Sequence, residues 1–279
     1  MKTFLVPVEP HEKADRIISL AAKMATKMSA NLTGFALRRA QVAAIGWDPA
    51  SVAIVTDPEW DDQRPEAEAR ELFARVMTEH GLVEDGDGSR DAARWSWYSE
   101  SGSGDEFLGS FGRAFDLTVV GQPSGRPGGS AITTLEAALF DSGGPVLVSP
   151  KAPVETFGST VVVVWNGSSE TARTIAFAKP LLHQAEKVVV FDDDGTLGHR
   201  PDGAAVVRRL IANGISAELR RLRNGSVRSG ETILAEAASV GADLLVKGAY
   251  TQSRLRQMIF GGATRHLIAE SPLPVFLAH

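Results

Sequence analysis

At 279 residues, 43% hydrophobic and 23% charged, the chain can form one large or two ordinary domains around a real core. It contains no cysteine, which excludes disulfides, thiolate metal sites and cysteine nucleophiles, and its net charge of −5 gives no global footing for nucleic acid. No apolar run approaches the roughly 18 residues of a membrane span, and "MKTFLVPVEPHEK" lacks the roughly 7–15-residue apolar segment of a signal peptide, so the expectation is a cytoplasmic protein without membrane or nucleic-acid partners.

In chain order, "KTFLVPVEPHEKADRIISLAAKMA" (2–25) is an apolar β-rich run, a short polar turn and a helical pattern. "NLTGFAL" (31–37) is the next strand, followed by a segment at 38–63 that holds two of the five tryptophans and reads as either a lid or docking element or a long surface loop. A helix is predicted over 63–80, a strand at "ARWSWYS" (93–99), a helix over 103–113, a strand at "DLTVVGQ" (116–122), a helix over 131–141 and a strand at "GPVLVSP" (144–150). The joint "PKAPVETFG" (150–158) follows, and then the chain repeats itself.

"STVVVVWNGSSETARTIAFAKPLL" (159–182) parallels the opening, with Ser168 or Ser169 as N-cap and Ile175, Ala178, Leu181 and Leu182 on one helix face. "KVVVFDD" (187–193), "SAELRRL" (216–222), "DLLVKGA" (243–249) and "LPVFLAH" (273–279) match the remaining strands, with helices predicted over 202–213, 229–240 and 253–270. Strand–helix alternation gives a mostly parallel sheet with helices on both faces. "VVVVW" and "DLLVKG" are apolar without alternation, as strands buried on both faces require. The expected fold class is therefore α/β, two similar doubly wound domains, residues 1–152 and 153–279, each with a five-stranded mostly parallel sheet, packed about a pseudo-two-fold axis.

The halves differ in charge: residues 1–150 carry 14 Lys+Arg against 22 Asp+Glu, and residues 151–279 carry 15 against 12. An anionic ligand is better suited to the second half. Ligands of open α/β sheets bind beyond the carboxyl ends of strands where the strand order reverses. In the second half the relevant loops follow strands one and four, at Asn166-Gly167-Ser168 and from Gly248 onward. A helix starting near Gly262 would aim amide N–H groups at that crevice, with Thr264 adding a hydroxyl and Lys247, Arg254, Arg256 and Arg265 nearby. The same glycines would also serve as plain turns.

The stretches "VVVVWNGSSETARTIAFAKPLL" and "GADLLVKGAYTQSRLRQMIFGGATRHLIAESPLPVFLAH", with weaker first-half counterparts, resemble the universal stress protein family, as a tandem of two copies over essentially the whole chain. The resemblance implies a five-stranded sheet per copy, pairing of copies through their last strands, intramolecularly with a homodimer left open, and a stress-response role. One branch of the family binds ATP. It has an acidic residue ending strand one and a pattern Gly-x2-Gly-x9-Gly-Ser/Thr after strand four. Here Asn166 stands at the acidic position, Gly248 and Gly261 match glycines, Thr251 replaces a glycine, Gly262 replaces the Ser/Thr, and Thr264 matches a further hydroxyl position. The resemblance thus implies ATP or a related adenine nucleotide, with Mg²⁺, held by Asn166, Gly248, Thr251, Gly261, Gly262 and Thr264. In the first half Glu9 matches the acid, but "QPSGRPGGSAITTLEAALF" after Gly121 has no comparable helix start, and no nucleotide is expected there. The altered positions motivate the alternative, a nucleotide-free interaction module.

"VVVFDDDGTL" (188–197) also fits the strand-plus-D-x-D-G-T opening of aspartyl phosphatases, with Asp192 as nucleophile and Asp194 as acid/base. It lies on strand two of a repeat, with no later paired-Asp metal site, so an acidic strand end is the better reading. The six histidines show no ligand spacing. Arg220, Arg221, Arg223 and Arg228 suit either anion contacts or charge defence of an edge strand. The reading that results is a binding protein without catalytic residues, with slow phosphohydrolase activity, through the crevice or through Asp192, as a third alternative.

Overall fold

The computed structural model describes residues 1–9, 11, 13–38, 63–85, 93–99, 104–124, 130–194, 201–223, 226–249 and 262–279. The first half runs β1 (Thr3–Val8), α1 (Ala14–Met28), β2 (Asn31–Ala36), α2 (Gln63–Glu79), β3 (Val83–Glu84), β4 (Arg94–Tyr98), α3 (Gly104–Phe111), β5 (Leu117–Gly121), α4 (Ile132–Glu136) and β6 (Val146–Ser149). The second runs β7 (Thr160–Val164), α5 (Ser169–Leu182), β8 (Lys187–Asp194), α6 (Gly203–Ala212), β9 (Ala217–Arg223), α7 (Gly230–Ser239), β10 (Leu244–Gly248), α8 (Gly262–Glu270) and β11 (Val275–Ala278).

The described strands form a single sheet of eleven, in the order β3-β4-β2-β1-β5-β6-β11-β10-β7-β8-β9. Within each half the pairs are parallel. The halves meet at the antiparallel pair β6·β11, with Val275 opposite Val148, Phe276 opposite Leu147 and Leu277 opposite Val146. The order is therefore symmetric about this seam, and the last strands of the two copies pair as the resemblance implies. One addition was not foreseen: the two-residue strand β3 pairs with β4 and gives the first half a sixth strand. A run that short carries no periodicity to read. The helix expected over 131–141 forms in two parts. It is α-helical to Glu136 and continues as a π-helix over Ala137–Asp141. The tryptophan-bearing segment lies outside the described residues apart from its ends.

Helices cover both faces. Leu244, Val246, Val161 and Val163 join one buried cluster with Ile175 and Ala178 of α5, Leu210 of α6, and residues of α1 and α2. Leu245, Val162, Val164 and Leu277 join the other, with Ile233 of α7, Leu267 of α8, Leu108 of α3 and Leu135 of α4. This explains why the central strands read as uninterrupted apolar runs. Helix α5 forms as its sequence dictates. Ser168 takes the N-cap, its Oγ accepting from Thr171 N at 3.2 Å, and Ile175, Ala178, Leu181 and Leu182 are all buried on one face.

The joint between the halves is held by α1. Arg16 donates to the carbonyl of Lys151, Lys23 to that of Val154, and Lys27 to that of Gly158 at 3.0 Å. Across the seam, Gln122 Nε2 donates to Ser271 O and Gln122 Oε1 accepts from Lys151 N, both at 3.3 Å.

Candidate functional site

In the second half, β7 lies between β10 and β8. The chain leaves β7 on one side for β8 and β9, then crosses back to β10 on the other. The strand order reverses between β7 and β10, so the carboxyl ends of these two strands bound the crevice where a ligand of such a sheet sits. Asn166 follows β7, and Gly248 ends β10.

The side chain of Asn166 is tied into the turn that starts α5. Its Oδ1 accepts from Ser168 N at 3.1 Å and from Thr171 Oγ1 at 2.7 Å. Its carbonyl is thereby engaged, and the amide N–H groups are what remain to offer a ligand. Gly248 faces the same turn. A Cβ there would lie 2.6 Å from Thr171 Oγ1 and nearer still to the Thr171 backbone N. The close approach that this glycine permits is to the first turn of α5. Gly121, its counterpart at the end of β5, is similarly hemmed in: a Cβ would lie 2.5 Å from Ile17 Cδ1 and press on Ser130 Oγ. In both halves the glycine ending strand four is required by packing.

Gly262 opens α8 on the exposed side, and a Cβ there would meet no atom within 4 Å. Thr264, in the first turn of α8, is 6% exposed. Thr251 and Gly261 lie outside the described residues. Asn166 and Gly248 thus stand at the carboxyl ends of β7 and β10, and Gly262 and Thr264 in the first turn of α8.

Lys247 is the residue whose setting was not foreseen. The sequence offers it as one of several nearby cations, yet it is 4% exposed. Burial pushes its ammonium down to about 8. The signal was in the sequence: a lysine inside "LLVKG", a run that reads as buried on both faces.

Asp192 and Asp193 end β8, both buried. Asp192 Oδ2 accepts from Gly203 N at 2.6 Å and its Oδ1 from Asp193 N at 2.9 Å, while Asp193 Oδ1 accepts from Val227 N at 3.0 Å. These carboxylates satisfy buried backbone donors, a structural use that leaves the aspartyl-phosphatase motif without a free nucleophile. No group of three or more His, Asp or Glu residues arranged for a metal occurs among the described residues. Of the arginines at the second-half edge, Arg220 pairs with Glu236 and Arg221 with Asp202, which fits the edge-defence reading.

The equivalent crevice of the first half is nearly filled. It lies among Pro7, Glu9, Ile17, Gly121, Ser130 and Thr134 and encloses about 20 Å³, room for about one water molecule. A larger groove of about 350 Å³ lies elsewhere, between α1, α2 and the joint at 153–155. At its edge Ser19 Oγ and His80 Nε2 are hydrogen-bonded at 2.6 Å, linking α1 to the end of α2.

Comparison with known proteins gives one family. The model of the universal stress protein family matches residues 159–279. No curated protein matches the chain significantly. Among solved structures, a universal stress protein from Archaeoglobus fulgidus DSM 4304 covers 99% of this chain and 95% of its own, at 16% identity and a TM-score of 0.71. A protein of Pseudomonas aeruginosa UCBPP-PA14, provisionally assigned as a universal stress protein, covers 100% and 93% at 13% identity and a TM-score of 0.54. A functionally unknown protein of Pseudomonas aeruginosa PAO1 covers 100% and 92% at 12% identity and a TM-score of 0.53. At such identities the likeness is one of fold, and it extends over both halves.

Proposed function

We propose that the chain, whose residues 159–279 match the model of the universal stress protein family, is a tandem stress-response protein acting by binding rather than turnover. On this proposal the units are residues 1–152, a structural partner, and 153–279, which takes ATP or a related adenine nucleotide between β7 and β10. The observation that supports this is the reversal of strand order there, which sets the Asn166 turn after β7 and Gly248 at the end of β10 on either side of the crevice. Gly262 offers backbone with open space before it, and an Asn166 amide N–H suits a base or ribose acceptor. Gly248, Thr251, Gly261 and Thr264 complete the proposed set, with the phosphates toward the first turn of α8. A Mg²⁺ would be carried on the nucleotide's own phosphates. The near-filled first-half crevice speaks against a second nucleotide there.

The test is direct. Purified protein is denatured and its supernatant run on nucleotide chromatography, alongside a thermal-shift titration with ATP. Adenine nucleotide at no more than one per chain is expected, with the ATP shift lost in Gly262→Trp. Two nucleotides per chain would overturn the assignment to the second half, and an unchanged affinity in the variant would overturn the site.

A second reading has its own observation. Asn166 Oδ1 and the bare face of Gly248 are both engaged by α5, which favours a nucleotide-free interaction module. Protein that purifies empty and is unshifted by millimolar ATP would support it.

A further inference from the structure

Strand β10 places a lysine where a doubly buried strand calls for an apolar side chain. Alternation along the strand sets its direction. Leu244 and Val246 belong to the cluster under α5, whereas Leu245 and Ala249 belong to the opposite cluster, with Ala263, Leu267 and Ile268 of α8. Lys247 falls on that second face, between Leu277 of β11 and Val164 of β7. It is 4% exposed, and among the described residues nothing accepts from its ammonium or pairs with it; burial alone perturbs it. Two acids of the elements on that face are engaged elsewhere. Asp193 accepts from Val227 N at 3.0 Å, and Glu236 of α7 pairs with Arg220.

A buried ammonium without a counter-charge is unfavourable, and its position makes it more so. The right-handed crossover from β10 to β11 brings α8 back antiparallel to β10. The N-terminal end of α8 therefore lies over the carboxyl end of β10, where Lys247 sits one residue from the terminus of its strand. The first turn of a helix is the positive end of its dipole and carries unsatisfied amide donors. Lys247 and the first turn of α8 are then two positive features at the same end of the sheet, and the buried Thr264 adds a hydroxyl in that turn. What neutralises the arrangement is an anion.

We infer that Lys247 is the anion seat of the second-half crevice: its ammonium, the first-turn amides of α8 and the Thr264 hydroxyl together take a phosphate group of the ligand. This deepens the nucleotide proposal and rests on it for the adenine part alone; the charge pairing calls only for a compact polyanion of the phosphate class.

The experiment compares the full-length wild type with Lys247→Met, using ATP, tripolyphosphate and adenosine as probes in thermal-shift and calorimetric titrations. ATP and tripolyphosphate should bind the wild type, and the variant should lose at least tenfold in affinity for both. In the wild type itself, tripolyphosphate should protect Lys247 from trace acetylation by acetic anhydride, read by peptide mass spectrometry, a measurement that needs no variant. Equal ATP affinity in both proteins, or unprotected Lys247 at saturation, would overturn the anion seat and leave nucleotide binding standing. Tripolyphosphate binding that depends on Lys247 without any ATP binding would sustain the seat and overturn the adenine reading. A wild type bound by neither polyanion would overturn both.

Discussion

Replacing Lys247 with methionine should stabilise the ligand-free protein, and the gain should vanish as the pH rises. The fall of the Lys247 ammonium from 10.5 to about 8 corresponds, at about 1.4 kcal/mol for each tenfold change in proton affinity, to about 3 kcal/mol. The sign follows from linkage. Below about 8 the lysine is charged in both states, and the folded state bears the whole cost of burying it. Between about 8 and 10.5 the folded protein has released the proton that the unfolded chain still holds, so stability rises with pH. Above 10.5 the amine is neutral in both states and the cost is gone. Methionine is apolar, of similar length, and already suited to this core. Urea denaturation of both proteins from pH 7 to 10.5 should therefore give a difference of about 3 kcal/mol in favour of Lys247→Met at pH 7 that closes toward the alkaline end. A difference that is flat across this range, or a variant less stable at pH 7, would refute the claim that Lys247 is buried without a counter-charge.

The two crevice glycines should separate in the same assay. Gly248→Ala sets a methyl against Thr171 and should cost about 1–3 kcal/mol by overpacking, whereas Gly262→Ala meets nothing and should be neutral or slightly stabilising; equal effects would contradict the packing account. Asp243 accepts from Ser159 N and Thr160 N, both at 3.0 Å, so Asp243→Ala leaves two backbone donors at the start of β7 unpaired and should lower stability by about 1–3 kcal/mol, with a melting temperature near wild type as the refuting result. Burial, and secondarily Lys23, hold the His80 imidazole below 6.5. Its contribution is thus fully present above 6.5 and lost as the pH falls through its folded value, and His80→Gln should flatten the acid limb of the stability profile below pH 6.5.

What the sequence discloses depends on whether a feature is repeated along the chain or made by contact across it. The strands at "VVVVW" and "DLLVKG", the cap at Ser168 and the buried face of α5 follow from local period and local chemistry, and the doubled pattern carries the two-half architecture. Strand β3 exists only because β4 lies beside it, and two residues have no period of their own. Gly248 illustrates a limit of a different kind. A glycine after a strand signals close approach, but only the packed structure discloses that the approaching group is Thr171. Asn166 was read as a ligand contact, while its Oδ1 serves the turn that its own neighbours Ser168 and Thr171 create. Asp192 fits a catalytic pattern as a string, yet its partner Gly203 N lies beyond the next loop. Lys247 is the contradiction that the sequence itself displays, a charged residue in a strand buried on both faces.

The seam between the halves bears on how a bound ligand acts. Pairing β6 with β11 joins both sheets into one, and the edges of both last strands are thereby used within the chain. A homodimer built through last strands would have to break this pairing, so self-association would need another surface. The joint is fastened as well: three cations of α1 reach the carbonyls of residues 151, 154 and 158, and Gln122 bridges Ser271 and Lys151. A hinge between the halves would need to give up ladder hydrogen bonds, these contacts and a pair of clusters that run under both copies. Interfaces of this kind resist continuous deformation. On the proposed anion seat, an anion neutralising Lys247 would therefore act close to where it binds. The elements that would respond are the first turn of α8 and the α5 turn through Asn166 and Thr171, and it is there that occupied and empty protein would differ for a partner.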